Sequence, residues 1–194
     1  MIMVELVLCG RGGQGIVFLT RQIGQIATAK GLEVVSSETH GMAVRGGSIN
    51  SHLRIGRFFS PLIRAGHADF LLSLDPSETA NNSHYLKRGG VTVENSTLPD
   101  GLGIKRVDAA GLAKNLGRVQ LENVVLLGFA ATLDGFPVSV EEVREHLSSE
   151  TRAQVRSMNL MALEAGIRVG HPENGHKSPS PSPSRDGRGK GEGD

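Results

Sequence analysis

The stretch Val4-Glu5-Leu6-Val7-Leu8-Cys9-Gly10-Arg11-Gly12-Gly13-Gln14-Gly15 decides the fold. A short apolar run rich in β-formers leads straight into a glycine-rich turn, which reads as a strand ending abruptly. Downstream, Ile16, Leu19, Ile23, Ile26 and Ala27 recur at helical spacing as far as Lys30, and Gly31 supplies a stop. Strand, tight turn and helix in that order open an α/β unit.

Working outward, Leu32 to Ser36 is a second expected strand. Ser48 to Ile55 is a third, with Ile49, Ser51 and Leu53 pointing to one side. The apolar run Ala68 to Leu74 reads as a buried central strand, followed by a helix through Ser77 to Leu86. Val91 to Glu94 and Ile104 to Val107 are further short strands, with a helix starting near Asp108. Asn123 to Leu133 is apolar all round, as a buried helix would be. Ser139 with Glu142 forms a capping-box signature for Val140 to Leu147, and a last helix is expected over Glu150 to Arg168. The repeated β-then-α order predicts an α/β, Rossmann-like three-layer domain with a mostly parallel sheet, spanning residues 1–170. Beyond Gly170, Ser-Pro repeats and a Gly-rich charged run leave almost nothing apolar to bury, so residues 171–194 are expected to be a disordered tail.

Among 194 residues, 21 basic and 20 acidic side chains nearly cancel, so no global field recommends nucleic acid or an anionic membrane. One cysteine, Cys9, permits no internal disulfide and cannot supply the several thiolates of an iron–sulfur cluster; any cluster must belong to a partner. Glu5 interrupts any signal-like run at the N-terminus, and no later run approaches the ~20 apolar residues of a membrane span. The expected compartment is the cytoplasm.

Gly10, Gly12 and Gly15 fit the G-x-G-x-x-G spacing, which lets an anionic ligand approach backbone N–H groups at a helix start. Glu38 lies about where a ribose-binding acid belongs in a dinucleotide site. Against a complete dinucleotide enzyme, Glu38 sits in a Thr-His-Gly loop and no substrate domain follows. The competing explanation is that the glycines merely allow close helix–strand packing. A second polar stretch, Ser36 to Ser48, contains Arg45-Gly46-Gly47, where a guanidinium beside flexible backbone suits a phosphate or carboxylate; pairing of Arg45 with Glu38 is the plainer alternative.

Gly10-Arg-Gly-Gly-Gln-Gly15, Glu38-Thr-His-Gly41 and Arg45-Gly-Gly47 together resemble the gamma subunit, or gamma domain, of pyruvate and related 2-oxoacid:ferredoxin oxidoreductases. Within that group the Thr-His-Gly wording, Ser60-Pro61-Leu62-Ile63 and Ala68-Asp69 are most similar to the indolepyruvate branch. The likeness covers about residues 4 to 168. It implies decarboxylation of a 2-oxoacid such as indolepyruvate on thiamine diphosphate, electron transfer through 4Fe-4S clusters to ferredoxin or a similar acceptor, and release of an acyl-CoA. It also implies that thiamine diphosphate, magnesium and the clusters sit in a larger companion subunit, and that this chain is not active alone. The sequence agrees: it lacks both cluster cysteines and a Gly-Asp-Gly segment with a downstream Asn for magnesium diphosphate. By the same resemblance, Gly10, Gly12, Gly13, Gln14, Gly15, Glu38, Thr39, His40, Gly41, Arg45, Gly46 and Gly47 are expected at coenzyme A or the subunit boundary.

His40 is placed where acid–base chemistry is conceivable, but no nucleophile or carboxylate is tied to it by sequence, and no catalytic residue is assigned. His52, His67, His84 and His146 lack ligand spacing, so no metal site is expected. Asp75 before Pro76 reads as a helix cap, and Cys9 as a small core residue. Two further readings stay open: a stand-alone dinucleotide-binding oxidoreductase, and a non-catalytic module binding coenzyme A or a nucleotide.

Overall fold

The computed structural model describes residues 3–41 and 46–171. Six strands form one sheet in the order β2-β3-β1-β4-β5-β6: β1 Val4–Arg11, β2 Val34–His40, β3 Ser48–Ile55, β4 Ala68–Ser73, β5 Leu86–Asn95 and β6 Ile104–Val107. Only β3 runs antiparallel, threaded between β1 and β2, so the sheet is mostly parallel as expected. The helices are α1 Ile16–Ala29, α2 Pro76–Asn82, α3 Ala109–Asn115, α4 Glu122–Ala130, α5 Val140–Ser148 and α6 Ala153–Gly170.

The two faces of the sheet are covered unequally. Leu6, Leu8, Leu53, Ile55, Phe70 and Leu72 pack under α1 and the α4–α6 group in the main core. On the other face Val7, Cys9, Ala68 and Leu71 form a small cluster closed by Ile63 and Tyr85. There the short helix α2 and the loop before β4 are the cover, and α2 rests on polar groups. Its buried Glu78 accepts from the Ser48 hydroxyl at 2.6 Å, and its Asn82 pairs with Asn50.

α4 is buried along its whole length and crosses α6 at close range. Glycines make this possible: a Cβ on Gly166 would lie 2.0 Å from the Val125 carbonyl oxygen, and one on Gly128 would lie 2.4 Å from that of Leu163. Caps close other helices as the sequence predicts. Asp75 caps α2 by accepting from Ser77 N–H at 2.9 Å, and Ser139 and Glu142 complete the capping box of α5.

Two expectations about elements need correction. β2 does not stop at Ser36 but runs to His40, because β3 returns alongside and pairs Glu38 with Ser51, Thr39 with Asn50 and His40 with Ile49. The helix expected through Leu86 ends at Asn82, a 3₁₀ turn covers Ser83–Tyr85, and Leu86 already begins β5 opposite Ala68. The expected tail lies outside the described residues apart from His171. No described helix is long and apolar enough to cross a membrane.

Candidate functional site

Every parallel strand ends on the same side of the sheet, and the glycine turn lies there, where strand order reverses between β3 and β4 around β1. Gly13 and Gly15 take positive φ (101° and 83°), a conformation that side chains disfavour, so the turn depends on them. The other glycines are constrained by neighbours. A Cβ on Gly10 would meet Gln14 Oε1 and Ile16 Cδ1 at 2.9 Å, and one on Gly15 would lie 2.2 Å from Asn123 Nδ2. The packing explanation for these glycines therefore holds in part. Close packing requires Gly10 and Gly15, whereas a Cβ on Gly13 would have nothing within 4 Å, leaving open space beside its backbone.

The antiparallel insertion of β3 joins the two glycine segments. The ladder places Arg11 opposite Ser48 and continues with Gly12 N–H donating to the Gly47 carbonyl at 2.9 Å. A Cβ on Gly12 would sit 3.3 Å from Gly46 N. On the far side Gly41 N–H donates to Ser48 O at 2.8 Å. Gly12 thus abuts Gly46 and Gly47, and Gly41 meets the next residue, Ser48, from the β2 side. Arg45 lies outside the described residues.

Glu38 is placed differently. It lies on β2, two strand spacings from β1 or about 10 Å, and lines an open groove with Arg21, Gln25 and Thr28 of α1. A ribose-binding acid in a dinucleotide fold stands on the strand next to the glycine turn; β3 occupies that place here. Thr39, opposite Asn50, belongs to the other face of the sheet.

Around the turn the structure assembles polar groups that no local sequence pattern announces. Arg11, with half its side chain exposed, holds Asp75 at 2.9 Å and Ser77 Oγ at 2.9 Å, tying the glycine turn to α2. Burial works against ionisation of Asp75, but hydrogen bonds from Ser77 and the Arg11 guanidinium outweigh it and hold the carboxyl below its ordinary range. Gln14 accepts from Arg11 N–H at 2.7 Å through Oε1 and donates to the Leu74 carbonyl at 3.0 Å through Nε2.

Beneath Gln14 lies Glu122, the first residue of α4 and almost wholly buried. Burial pushes its carboxyl above the usual range, Asp75 adds to this, and hydrogen bonds from Gln14 and Asn95 offset it in part. Asn95, ending β5, donates to Leu74 O at 3.2 Å and to Glu122 Oε2 at 3.3 Å, and its Oδ1 accepts from Ala110 N–H at 3.1 Å. One network therefore links the ends of β1, β4 and β5 to the starts of α3 and α4. Sequence reading missed Glu122, Asn95 and Asn123 because their partners are distant in the chain. For Arg11 the signal existed: a cation inside the glycine turn.

Chemically, this end offers backbone N–H groups at the start of α1, which no side chain caps, and the Arg11 cation beside them. That combination suits an anion. Cys9 lies just beneath, fully buried, its thiol pushed up to about 12 by burial, so it is no ready thiolate. A single such cysteine does not fit an iron–sulfur cluster.

Against known proteins, the chain is 31% identical over 187 residues to the indolepyruvate oxidoreductase subunit IorB of Archaeoglobus fulgidus, covering 84% of this chain and 93% of that one. The keto/oxoacid ferredoxin oxidoreductase gamma subunit of Geobacter sulfurreducens superposes with a TM-score of 0.70 at 26% identity, covering 87% of this chain and 99% of that one. A 2-oxoglutarate:ferredoxin oxidoreductase chain from Magnetococcus marinus, solved with 2-oxoglutarate, coenzyme A and succinyl-CoA, shares the fold at a TM-score of 0.74 and 20% identity. The match covers 89% of this chain but only 32% of that one, so the present chain spans about a third of its length. The family model for pyruvate ferredoxin/flavodoxin oxidoreductase matches residues 5–169, and with that match, the relatives above and a sheet whose glycine segments abut at its carboxyl end, the chain belongs to the pyruvate ferredoxin/flavodoxin oxidoreductase family.

Proposed function

We propose that this chain is the cluster-free subunit of a thiamine diphosphate-dependent 2-oxoacid:ferredoxin oxidoreductase, and that its glycine turn with the abutting Gly46–Gly47 segment receives the anionic part of coenzyme A. The observation that carries this reading is the Gly12–Gly47 contact beside the uncapped start of α1. Family membership, and the coenzyme A held by the Magnetococcus marinus relative, support it. Thiamine diphosphate, magnesium and the 4Fe-4S clusters belong to a larger companion subunit, where they supply decarboxylation and electron transfer to ferredoxin or a similar acceptor. Indolepyruvate is the first substrate to try, given the names of the relatives near 31% identity. Placement of Glu38 two strands from the turn speaks against a stand-alone dinucleotide enzyme.

Gly12→Val tests the reading in the complex reconstituted with its companion. A branched side chain 3.3 Å from Gly46 N must push the two segments apart. The KM for coenzyme A should rise at least about tenfold, roughly 1.4 kcal/mol of binding, while the KM for the 2-oxoacid moves little. An unchanged coenzyme A KM in a folded, assembled variant removes the turn from that site. Comparing kcat/KM for indolepyruvate, pyruvate and 2-oxoglutarate assigns the substrate.

A further inference from the structure

At the other end of the strands, residues 56–67 form a loop that is firmly built yet displays apolar side chains to solvent. Arg54 organises it from below: Nη1 donates to the carbonyls of Ser60 at 2.8 Å and Leu62 at 3.1 Å, and the guanidinium lies 4.0 Å from the centre of the Phe58 ring. Nη2 meets Glu5 at 2.6 Å. His52 Nδ1 accepts from Ile63 N–H at 2.9 Å, and Ile63 itself is buried in the smaller core. Held in this way, the loop leaves Phe59 fully exposed and Leu62 57% exposed. A fixed, exposed phenylalanine forgoes the stabilisation that burial would bring, so the fold alone does not account for it.

The unpaired charge around these two side chains has one sign. Between Gly56 and His67 the sequence has Arg57 and Arg64 and no acid. The adjoining start of β5, bonded to the loop through His67 N–H and Tyr85 O at 2.9 Å, adds Lys87 and Arg88. The nearby acids are already engaged: Glu5 with Arg54, Glu33 with Arg57 and Asp69 with Lys87. Arg64 and Arg88, both exposed, have no ion-pair partner among the described residues.

From this arrangement we infer that the Phe59–Leu62 loop is a docking surface for a companion polypeptide that presents an apolar pocket rimmed by carboxylates. A second copy of this chain fits poorly, because a two-fold interface sets the patch against itself and would oppose Arg64 and Arg88 with like charge. Resting on the proposed function, the inference identifies the occupant as the larger thiamine- and cluster-bearing subunit. The patch lies about 25 Å from the glycine turn along β1, so assembly and coenzyme A binding are separable by mutation.

The test co-expresses the full chain with that subunit and measures their dissociation constant. The double variant F59D/L62D should raise it at least about 30-fold, as loss of an apolar anchor does. R64E/R88E should weaken assembly and flatten its dependence on salt. Both should leave the melting of the chain alone unchanged, and Met161→Asp, on the exposed side of α6, should not affect assembly. Unchanged affinity for F59D/L62D overturns the inference while leaving the proposed function standing. So does a homodimer of the chain alone that this double variant dissolves. A wild-type chain that never binds the subunit overturns the proposed function and the inference together.

Discussion

Replacing Gln14 with alanine tests whether the network at the carboxyl end of the sheet supports the glycine turn. The amide closes the turn onto Arg11 N–H at 2.7 Å and ties it to the Leu74 carbonyl at 3.0 Å. Alanine removes both. At roughly 1 kcal/mol net for each ordinary hydrogen bond, the loss is about 2 kcal/mol. That is a substantial share of the 5–15 kcal/mol typical of a domain, so the variant folds but is measurably weakened. Urea unfolding at pH 7 should show a lower midpoint at unchanged slope. Gln14→Met, which keeps the volume but neither donates nor accepts comparably, should match alanine to within about 1 kcal/mol, which separates lost hydrogen bonds from a lost side chain. A loss under about 0.5 kcal/mol for both variants would refute the network as a support for the turn.

The neighbouring carboxyl gives a pH-dependent counterpart. Because the folded state raises the Glu122 pKa, the native protein holds this proton more tightly than the unfolded chain, so its contribution is full below the unfolded pKa and is lost as pH rises through the folded one. Glu122→Gln should flatten the stability curve on that alkaline side, seen as a smaller difference in urea midpoint between pH 4 and pH 8; an unaltered difference would place the titration elsewhere. In the helical layer, Gly166→Ala sets a methyl group 2.0 Å from Val125 O and 2.8 Å from Phe129 N, both backbone atoms that cannot rotate away. The overpacking cost of about 3 kcal/mol exceeds the roughly 1 kcal/mol gained in helix propensity. The net, about 2 kcal/mol, lowers Tm by about 4–8 °C in a calorimetric scan, and a Tm equal to or above wild type would show that α4 and α6 can part freely.

Local pattern was a good guide wherever the chain's own periodicity sets the element. β1 and its glycine turn, α1 with its Gly31 stop, β3, β4 and the Ser139–Glu142 cap could all be read within a window of a dozen residues. The expectation failed where a distant strand supplies the hydrogen bonds. Glu38, Thr39 and His40 are polar and look like loop, yet β3 pairs them into a strand. Leu86 to Gly90 follows a helix and contains a glycine pair, yet β4 draws Leu86 into β5. The candidate site divides along the same line. Its glycines were visible as a motif, and the pairing of Gly12 with Gly47 was not, since nothing in either segment records that β3 would enter between β1 and β2. Glu122, Asn95 and Asn123 carry no motif at all: the packing of α4 brings Glu122 and Asn123 to Gln14 and Gly15, and the pairing of β5 with β4 brings Asn95 to the Leu74 carbonyl that Gln14 shares.

The thin cover on one face of the sheet has a dynamic consequence. α2 is only two turns long and meets β3 through Ser48–Glu78 and Asn50–Asn82 hydrogen bonds, which water can replace at little cost. Lifting α2 away would break these bonds and the Arg11 ties to Asp75 and Ser77 but leave the helical layer behind in place, a partial opening expected to cost less than global unfolding. Such an excursion would wet the Cys9 thiol and lower its pKa toward that of an ordinary cysteine. The lone sulfur is then a built-in clock for how often the thinner side of the molecule breathes.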